Sequence, residues 1–243
     1  MGEAMENDRV LVEGCAQLGI ALQEEQVRQF RQYYDLLIEW NSVMNLTAIT
    51  AFDEVMQKHF VDSLALVKGV SVEESWRVLD VGTGAGFPGI PLKIAFPGLE
   101  VVLLDSLNKR VKFLNEVIGK LGLTGISAVH ARAEELARKP EYREGFDLVV
   151  SRAVANLASL AEYCLPYVKV GGLFVSYKSG SVAEEAKDAQ KAIETLGGVQ
   201  KDLVRFSLPG SEIERSLVVI GKEKGTPKRF PRRPGVPGKE PIR

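Results

Sequence analysis

The chain is poor in the residues from which disulfide scaffolds and metal sites are built. It has two cysteines, Cys15 and Cys164, and two histidines, His59 and His130, in 243 residues. The cysteines sit in separate helical patterns without partners at metal spacing, so they read as buried thiols and give no disulfide framework. With only two histidines a His-built metal site is not expected, and the sequence contains no H-E-x-x-H and no Ser-His-Asp order. No apolar run approaches the ~20 residues of a membrane span. Met1 to Val10 is polar and acidic, without a signal-peptide core, which predicts a cytoplasmic protein with no membrane partner.

What is present is a chain long enough for one large domain, or a domain with a small appendage. The net charge of −1 hides an asymmetry: from Gly221 onward eight Lys and Arg face two Glu, whereas the remainder carries 23 basic and 30 acidic residues. The basic tail is also rich in proline and glycine, which predicts an extended, poorly ordered arm over 223–243. A basic arm on an acidic body suggests phosphate-backbone contacts from Lys228, Arg229, Arg232 and Arg233; a merely solvating tail is the alternative.

Apolar periodicity predicts helices at about 8–19 and 23–41. A third should open near Thr50-Ala51-Phe52-Asp53, which resembles a capping box with Asp in place of Glu. With no strand pattern before Arg77, residues 1–72 read as an N-terminal helical cap. From there strands alternate with helices. Strands are expected at 77–81, 100–105, 126–130, 146–151, 172–178, 199–206 and 213–221, and helices at about 88–96, 107–121, 133–138, 155–168 and 182–196. The link at 207–212 is too short for a helical crossover, so the last two strands should pair antiparallel. The fold class is α/β over 73–222, a mostly parallel seven-stranded Rossmann-like sheet with an antiparallel last strand.

The chain is organised around Leu79-Asp80-Val81-Gly82-Thr83-Gly84-Ala85-Gly86-Phe87-Pro88-Gly89, a strand that runs through a glycine loop into a helix. Such a unit cradles anions and nucleotides, and glycine supplies backbone angles and close approach that other residues cannot. Gly84 to Gly89 satisfies G-x-G-x-x-G with Asp105 downstream, so a dinucleotide reading is open. The longer acidic-x-Gly-x-Gly-x-Gly pattern, with Asp80 inside the strand end, instead resembles the S-adenosylmethionine loop of class I methyltransferases.

Ligands of open α/β sheets bind at the carboxyl ends of strands. Asp80, Gly82, Gly84, Gly86 and Phe87 follow the first strand. Asp105 follows the second, where its carboxylate suits a ribose diol or an N-cap. Ala133 and Glu134 follow the third, as an adenine frame or a plain helix start. Arg152 follows the fourth, straight after the apolar Phe146, Leu148, Val149 and Val150, and should emerge at the pocket rim.

Five blocks in order make a resemblance specific: Met44-Asn45-Leu46-Thr47, Lys58-His59-Phe60-Val61-Asp62-Ser63-Leu64, the glycine loop, Asp105-Ser106-Leu107-Asn108-Lys109-Arg110 and Ser151-Arg152-Ala153-Val154-Ala155. Together they resemble the glucose-inhibited division protein B family of bacterial 16S rRNA guanine-N7 methyltransferases, over nearly the whole chain. The resemblance implies S-adenosylmethionine as cofactor, S-adenosylhomocysteine as product, and guanine 527 in the 530 loop of small-subunit rRNA as target. It also implies cofactor contacts from Gly82, Phe87, Ala133, Glu134 and Arg152. The tail resembles only some members.

Guanine N7 carries a free lone pair, so positioning and electrostatics suffice and no base is required. Arg152 with Lys109 or Arg110 is expected to steady the guanine or its phosphate. His59, Lys109, Arg110 and Lys178 are candidate RNA contacts, with a helix-surface histidine the other reading of His59. Phe87, Phe60 and Tyr177 are stacking candidates that could equally be core. A nicotinamide-dependent oxidoreductase and a non-catalytic ribosome-assembly factor remain as rivals, and a monomer is favoured.

Overall fold

The computed structural model describes residues 8–152, 155–180 and 182–243; Met1, Ala153 and Val154, named above, lie outside them. The described residues begin with two helices, α1 (Arg9–Gln17) and α2 (Glu24–Met44). Gln26 in the first turn of α2 accepts the N–H of Gln23 at 2.7 Å and donates to the Ile94 carbonyl at 2.7 Å, so the helix start is also a tertiary tie. Asn45 ends α2 in the left-handed region, φ 49°, a conformation that asparagine tolerates better than most residues.

The third helix, α3, spans residues 52–64 and changes type along its length. It is α-helical at Phe52–Val55, π-helical at Met56–Val61 and α-helical again at Asp62–Leu64. The capping box expected at Thr50 does not form: the N-cap is Ala51, which has no side chain to cap with, and the Thr50 carbonyl instead accepts the Tyr34 hydroxyl at 3.0 Å.

The α/β part runs β1 (Arg77–Val81), α4 (Gly89–Ala95), β2 (Glu100–Asp105), α5 (Asn108–Lys120), β3 (Ile126–His130), α6 (Ala133–Leu136), β4 (Phe146–Ser151), α7 (Leu157–Cys164), β5 (Val168–Ser179), α8 (Ala183–Asp188), α9 (Gln190–Thr195), β6 (Gly198–Ser207) and β7 (Glu214–Lys222). The helix expected at 182–196 is thus two pieces that meet at Ala189. A last short helix, α10 (Val236–Lys239), lies in the tail. The sheet order is β3-β2-β1-β4-β5-β7-β6, with β7 antiparallel to both neighbours. This is a seven-stranded, mostly parallel α/β sheet of the class I methyltransferase type. The order reverses between β1 and β4, which opens a crevice at their carboxyl ends.

Alternation sorts the sheet onto two faces. Val78, Leu103, Val150, Val175 and Val219 share one core with α4, α5 and the N-terminal helices, including Leu11, Phe30 and Phe60. Leu79, Leu104, Val149, Phe174 and Val218 share the other with α7, α9 and Phe230 of the tail. The tail therefore differs from the extended arm that its composition suggests. Phe230 supplies an apolar anchor, and one buried carboxylate, Glu162, pairs with Arg232.

Phe60 is fully buried, its ring 5.0 Å from Phe30 and 5.1 Å from Tyr33. Phe60→Ala should lower unfolding stability by about 3–5 kcal/mol, read as a fall in the urea midpoint at unchanged slope.

Candidate active site

The loop after β1 is held from both sides. Gly82 and Thr83 donate their N–H groups to the Leu104 carbonyl of β2 at 2.9 and 3.1 Å. Asp80 Oδ2 accepts the Thr83 hydroxyl at 2.6 Å and the Gly89 N–H at 2.8 Å, which ties the strand end to the loop and to the start of α4. The Tyr33 hydroxyl donates to the Ala85 carbonyl from beneath. Gly86 lies at φ 98°, and a Cβ there would stand 2.5 Å from the Tyr33 hydroxyl and from Ile90. Gly84 lies at φ 62°, and a Cβ there would meet nothing within 4 Å.

Asp80 is fully buried, and its Oδ1 has no hydrogen-bond partner among the described residues. Burial, only partly offset by the bonds from Thr83 and Gly89, pushes its carboxyl up to about 6. A cavity of about 250 Å³ opens beside the loop, lined by Gly82, Asp105, Ala133, Glu134, Tyr163 and Gly235 among others. Asp105 acts within the chain at both oxygens. Oδ1 accepts the Leu107 N–H at 2.9 Å, and Oδ2 accepts the Gly84 N–H at 3.0 Å and Arg110 at 3.3 Å. The N-cap position of α5 is Leu107, so Asp105 secures the turn into that helix without being its cap. Glu134 is buried, and its Oε1 accepts the Gly235 N–H at 2.8 Å.

A second cavity, about 570 Å³, is lined by Lys58, His59, Asp62, Arg152, Lys178 and Arg215, with Asn156, Tyr177 and Glu185 among the rest. Asp62 is its pivot. Oδ2 accepts Arg152 at 2.8 Å and Oδ1 accepts Arg215 at 2.7 Å, so one buried carboxylate fixes two guanidinium groups. Arg152 also donates to the Lys58 carbonyl at 3.3 Å, and it lies 4.9 Å from the Phe87 ring centroid. The His59 ring stacks on the same phenyl at 4.6 Å and 16°.

The network fixes the state of His59. Arg152 Nη2, always a donor, faces Nδ1 at 3.2 Å, so Nδ1 accepts and the proton sits on Nε2, donated to Thr47 Oγ1 at 2.8 Å. Burial and the adjacent Arg152 hold the ring pKa down at about 3. His59 is therefore neutral at physiological pH, with both nitrogens engaged. It sits in the π-helical turn of α3, an irregularity that recurs at functional sites.

Of the residues expected at the site, Gly82, Asp105, Ala133 and Glu134 line the first cavity, and Arg152, His59 and Lys178 line the second; Asp80, Gly84, Gly86 and Phe87 belong to the glycine loop and its strand and line neither. Ala155 lines both. Lys178 is bound to the Ala155 carbonyl at 2.8 Å and to Glu185 at 2.7 Å. Lys109 is exposed and lines neither cavity, and Arg110 is occupied by Asp105. Of the tail cations, Lys228, Arg229 and Arg233 are exposed, whereas Arg232 pairs with Glu162. Phe60 is core, and the Tyr177 hydroxyl is spent on the Ser63 carbonyl at 2.7 Å, which leaves Phe87 as the aromatic that carries polar groups. Sequence reasoning missed Arg215, Asn156 and Glu185 as lining residues. Arg215 reaches the site only because β7 returns antiparallel and sets it opposite Ser179.

Among the described residues no helix is long and apolar enough to cross a membrane, and no three His, Cys, Asp or Glu side chains converge as a metal site. A likeness to solved structures extends to the fold. Precorrin-6y C5,15-methyltransferase from Geobacter metallireducens aligns at 16% identity and TM-score 0.50, over 67% of this chain and 88% of its own. M. jannaschii TYW2, solved in complex with AdoMet, aligns at 15% identity and TM-score 0.50, over 62% of this chain and 70% of its own. Sequence relatives are nearer. Ribosomal RNA small subunit methyltransferase G of Lachnoclostridium phytofermentans is 58% identical over 98% of both chains. The protein of that name from Alkaliphilus metalliredigens is 51% identical over 98% of this chain and all of its own. The family model for rRNA small subunit methyltransferase G matches residues 26–218. With the glycine loop, the sheet order and the two adjoining cavities, this match settles the family: the chain belongs to the rRNA small subunit methyltransferase G family.

Proposed function

We propose that the protein transfers a methyl group from S-adenosylmethionine to N7 of a guanine in 16S rRNA, guanine 527 of the 530 loop, in the cytoplasm. The observation that carries this reading is the adjacency of the two cavities, a glycine-loop pocket and a cationic cavity with Ala155 as a common wall. The residues present fit the cofactor. Gly84 has open space where a Cβ would stand, Glu134 offers a carboxylate, and Asp80 holds a buried oxygen with no partner among the described residues. When bound, S-adenosylmethionine supplies an electrophilic methyl group on a sulfonium.

The chain's own part is to hold and to orient. Arg152 and Arg215 offer donors to a guanine O6 or a backbone phosphate, and Asp62 fixes both groups before any ligand arrives. The approach of Arg152 is directed rather than merely electrostatic, because it lies over the Phe87 ring and donates to His59 Nδ1. No proton has to leave N7, and His59, the histidine of this cavity, is too weak a base to take one at neutral pH. Two arginines and Lys58 against Asp62 leave the cavity wall net positive, Lys178 being offset by Glu185, which favours an RNA backbone and makes binding salt-dependent. A guanine stacked in folded RNA must first be exposed to enter.

The direct test is transfer of labelled methyl from S-adenosylmethionine to small ribosomal subunits that lack the modification, beside naked 16S rRNA, large subunits and tRNA. Label confined to small-subunit RNA and mapped to N7 of one guanine is the expected result; label on tRNA alone would remove the reading. Arg152→Ala should cut turnover on the order of a hundredfold, and unchanged turnover would remove Arg152 from the mechanism. Asp80 gives a pH signature. Its carboxyl ionises near 6 in the fold and near 3.8 unfolded, so its contribution to stability is full below about pH 4 and is lost as pH rises through 6. The melting temperature of Asp80→Asn relative to the parent should therefore rise between pH 4 and 6 and level off above 7.

A further inference from the structure

The tail was expected to touch RNA, yet its most firmly held residues point elsewhere. Arg232 meets the buried Glu162 of α7 through a fork, Nε to Oε1 at 3.0 Å and Nη2 to Oε2 at 2.7 Å, while its own N–H donates to Oε1 at 2.7 Å. Ser159, also on α7, donates its hydroxyl to the Pro237 carbonyl at 2.7 Å. Arg143 donates to the Phe230 carbonyl at 3.0 Å and to the Thr226 carbonyl at 2.8 Å, and Phe230 is buried in the core. These ties deliver Gly235, at φ 82°, to the mouth of the glycine-loop cavity, where its N–H bonds Glu134 Oε1.

We propose that residues 226–239 are a strap that forms one wall of the cofactor pocket, with Arg232 as the positioning residue and the Gly235 N–H as the contact that orients Glu134. This rests on the reading of that pocket as the S-adenosylmethionine site and extends it to a segment outside the matched family region, which ends at residue 218. The bond from Gly235 occupies Oε1 and leaves Glu134 Oε2 with no hydrogen-bond partner among the described residues. A carboxylate fixed at one oxygen presents the other in a single direction, suited to an amino donor such as the exocyclic amine of adenine. Tyr163, which follows Glu162 in the chain, lines the same cavity, so the strap and the pocket floor share one helix.

The probe is S-adenosylhomocysteine, titrated calorimetrically into the full chain and into Arg232→Ala and Arg232→Lys, with melting temperature followed in parallel. Arg232→Ala should weaken binding about tenfold or more at a temperature where it is fully folded. Arg232→Lys should recover part of the loss, since an ammonium keeps the charge but not the fork. In the unmutated protein, S-adenosylhomocysteine should slow amide hydrogen exchange across 230–237 as well as in the glycine loop, a readout independent of any variant's folding. Unaltered affinity in Arg232→Ala, or slowed exchange confined to the glycine loop, would overturn the strap. If the affinity lost is instead that for rRNA, the tail is an RNA contact and the proposal fails. No binding to the unmutated protein would overturn the cofactor reading itself, and the strap with it.

Discussion

One buried carboxylate, Asp80, holds the part of the molecule on which the rest is arranged. Its Oδ2 is shared by the Thr83 hydroxyl and the Gly89 N–H, so a strand end, a loop and a helix start meet at a single oxygen. A loop with glycines at φ 71°, 62° and 98° would otherwise be the segment with the greatest conformational freedom to lose. The cost of this arrangement is visible in the raised carboxyl pKa, which comes chiefly from desolvation. Asp105 repeats the device one strand over, where its two oxygens gather Gly84, Leu107 and Arg110.

Asp62 plays the corresponding part in the second cavity. Two arginines in one cavity repel, and a carboxylate shared between them lowers that repulsion while leaving a net positive surface. A buried ion pair is weak evidence for stability, because desolvation opposes the Coulombic gain. Its value here is directional: Arg152 is constrained by Asp62, by His59 and by the Phe87 ring at once. Phe87 belongs to the glycine loop and His59 to α3, so the same contact joins the two cavities mechanically.

The α/β core was legible because its signals are local. Apolar runs, a glycine loop and a short hairpin link suffice to give the strand sequence, and the antiparallel last strand follows from the six residues between 207 and 212. The glycine-loop residues were legible for the same reason. What the sequence conceals is long-range. Arg215 lies 153 positions from Asp62, and no pattern near it announces a partner. Composition also misled on the tail: proline and glycine suit an extended arm, but Phe230, Glu162 and the bonds from Arg143 and Ser159 hold it against the body. Lys109 was drawn into the site by its neighbours in sequence, whereas its position on the first turn of α5 leaves it in solvent.

The reversal of β7 has a temporal consequence. β7 is inserted between β5 and β6, although it is synthesised after both. A nascent chain that has grown only through β6 therefore has a gap in the sheet and no Arg215 opposite Asp62. The second cavity draws on residues from Ile49 to Arg215, so a chain that ends before β7 lacks one of the two guanidinium groups that Asp62 holds there.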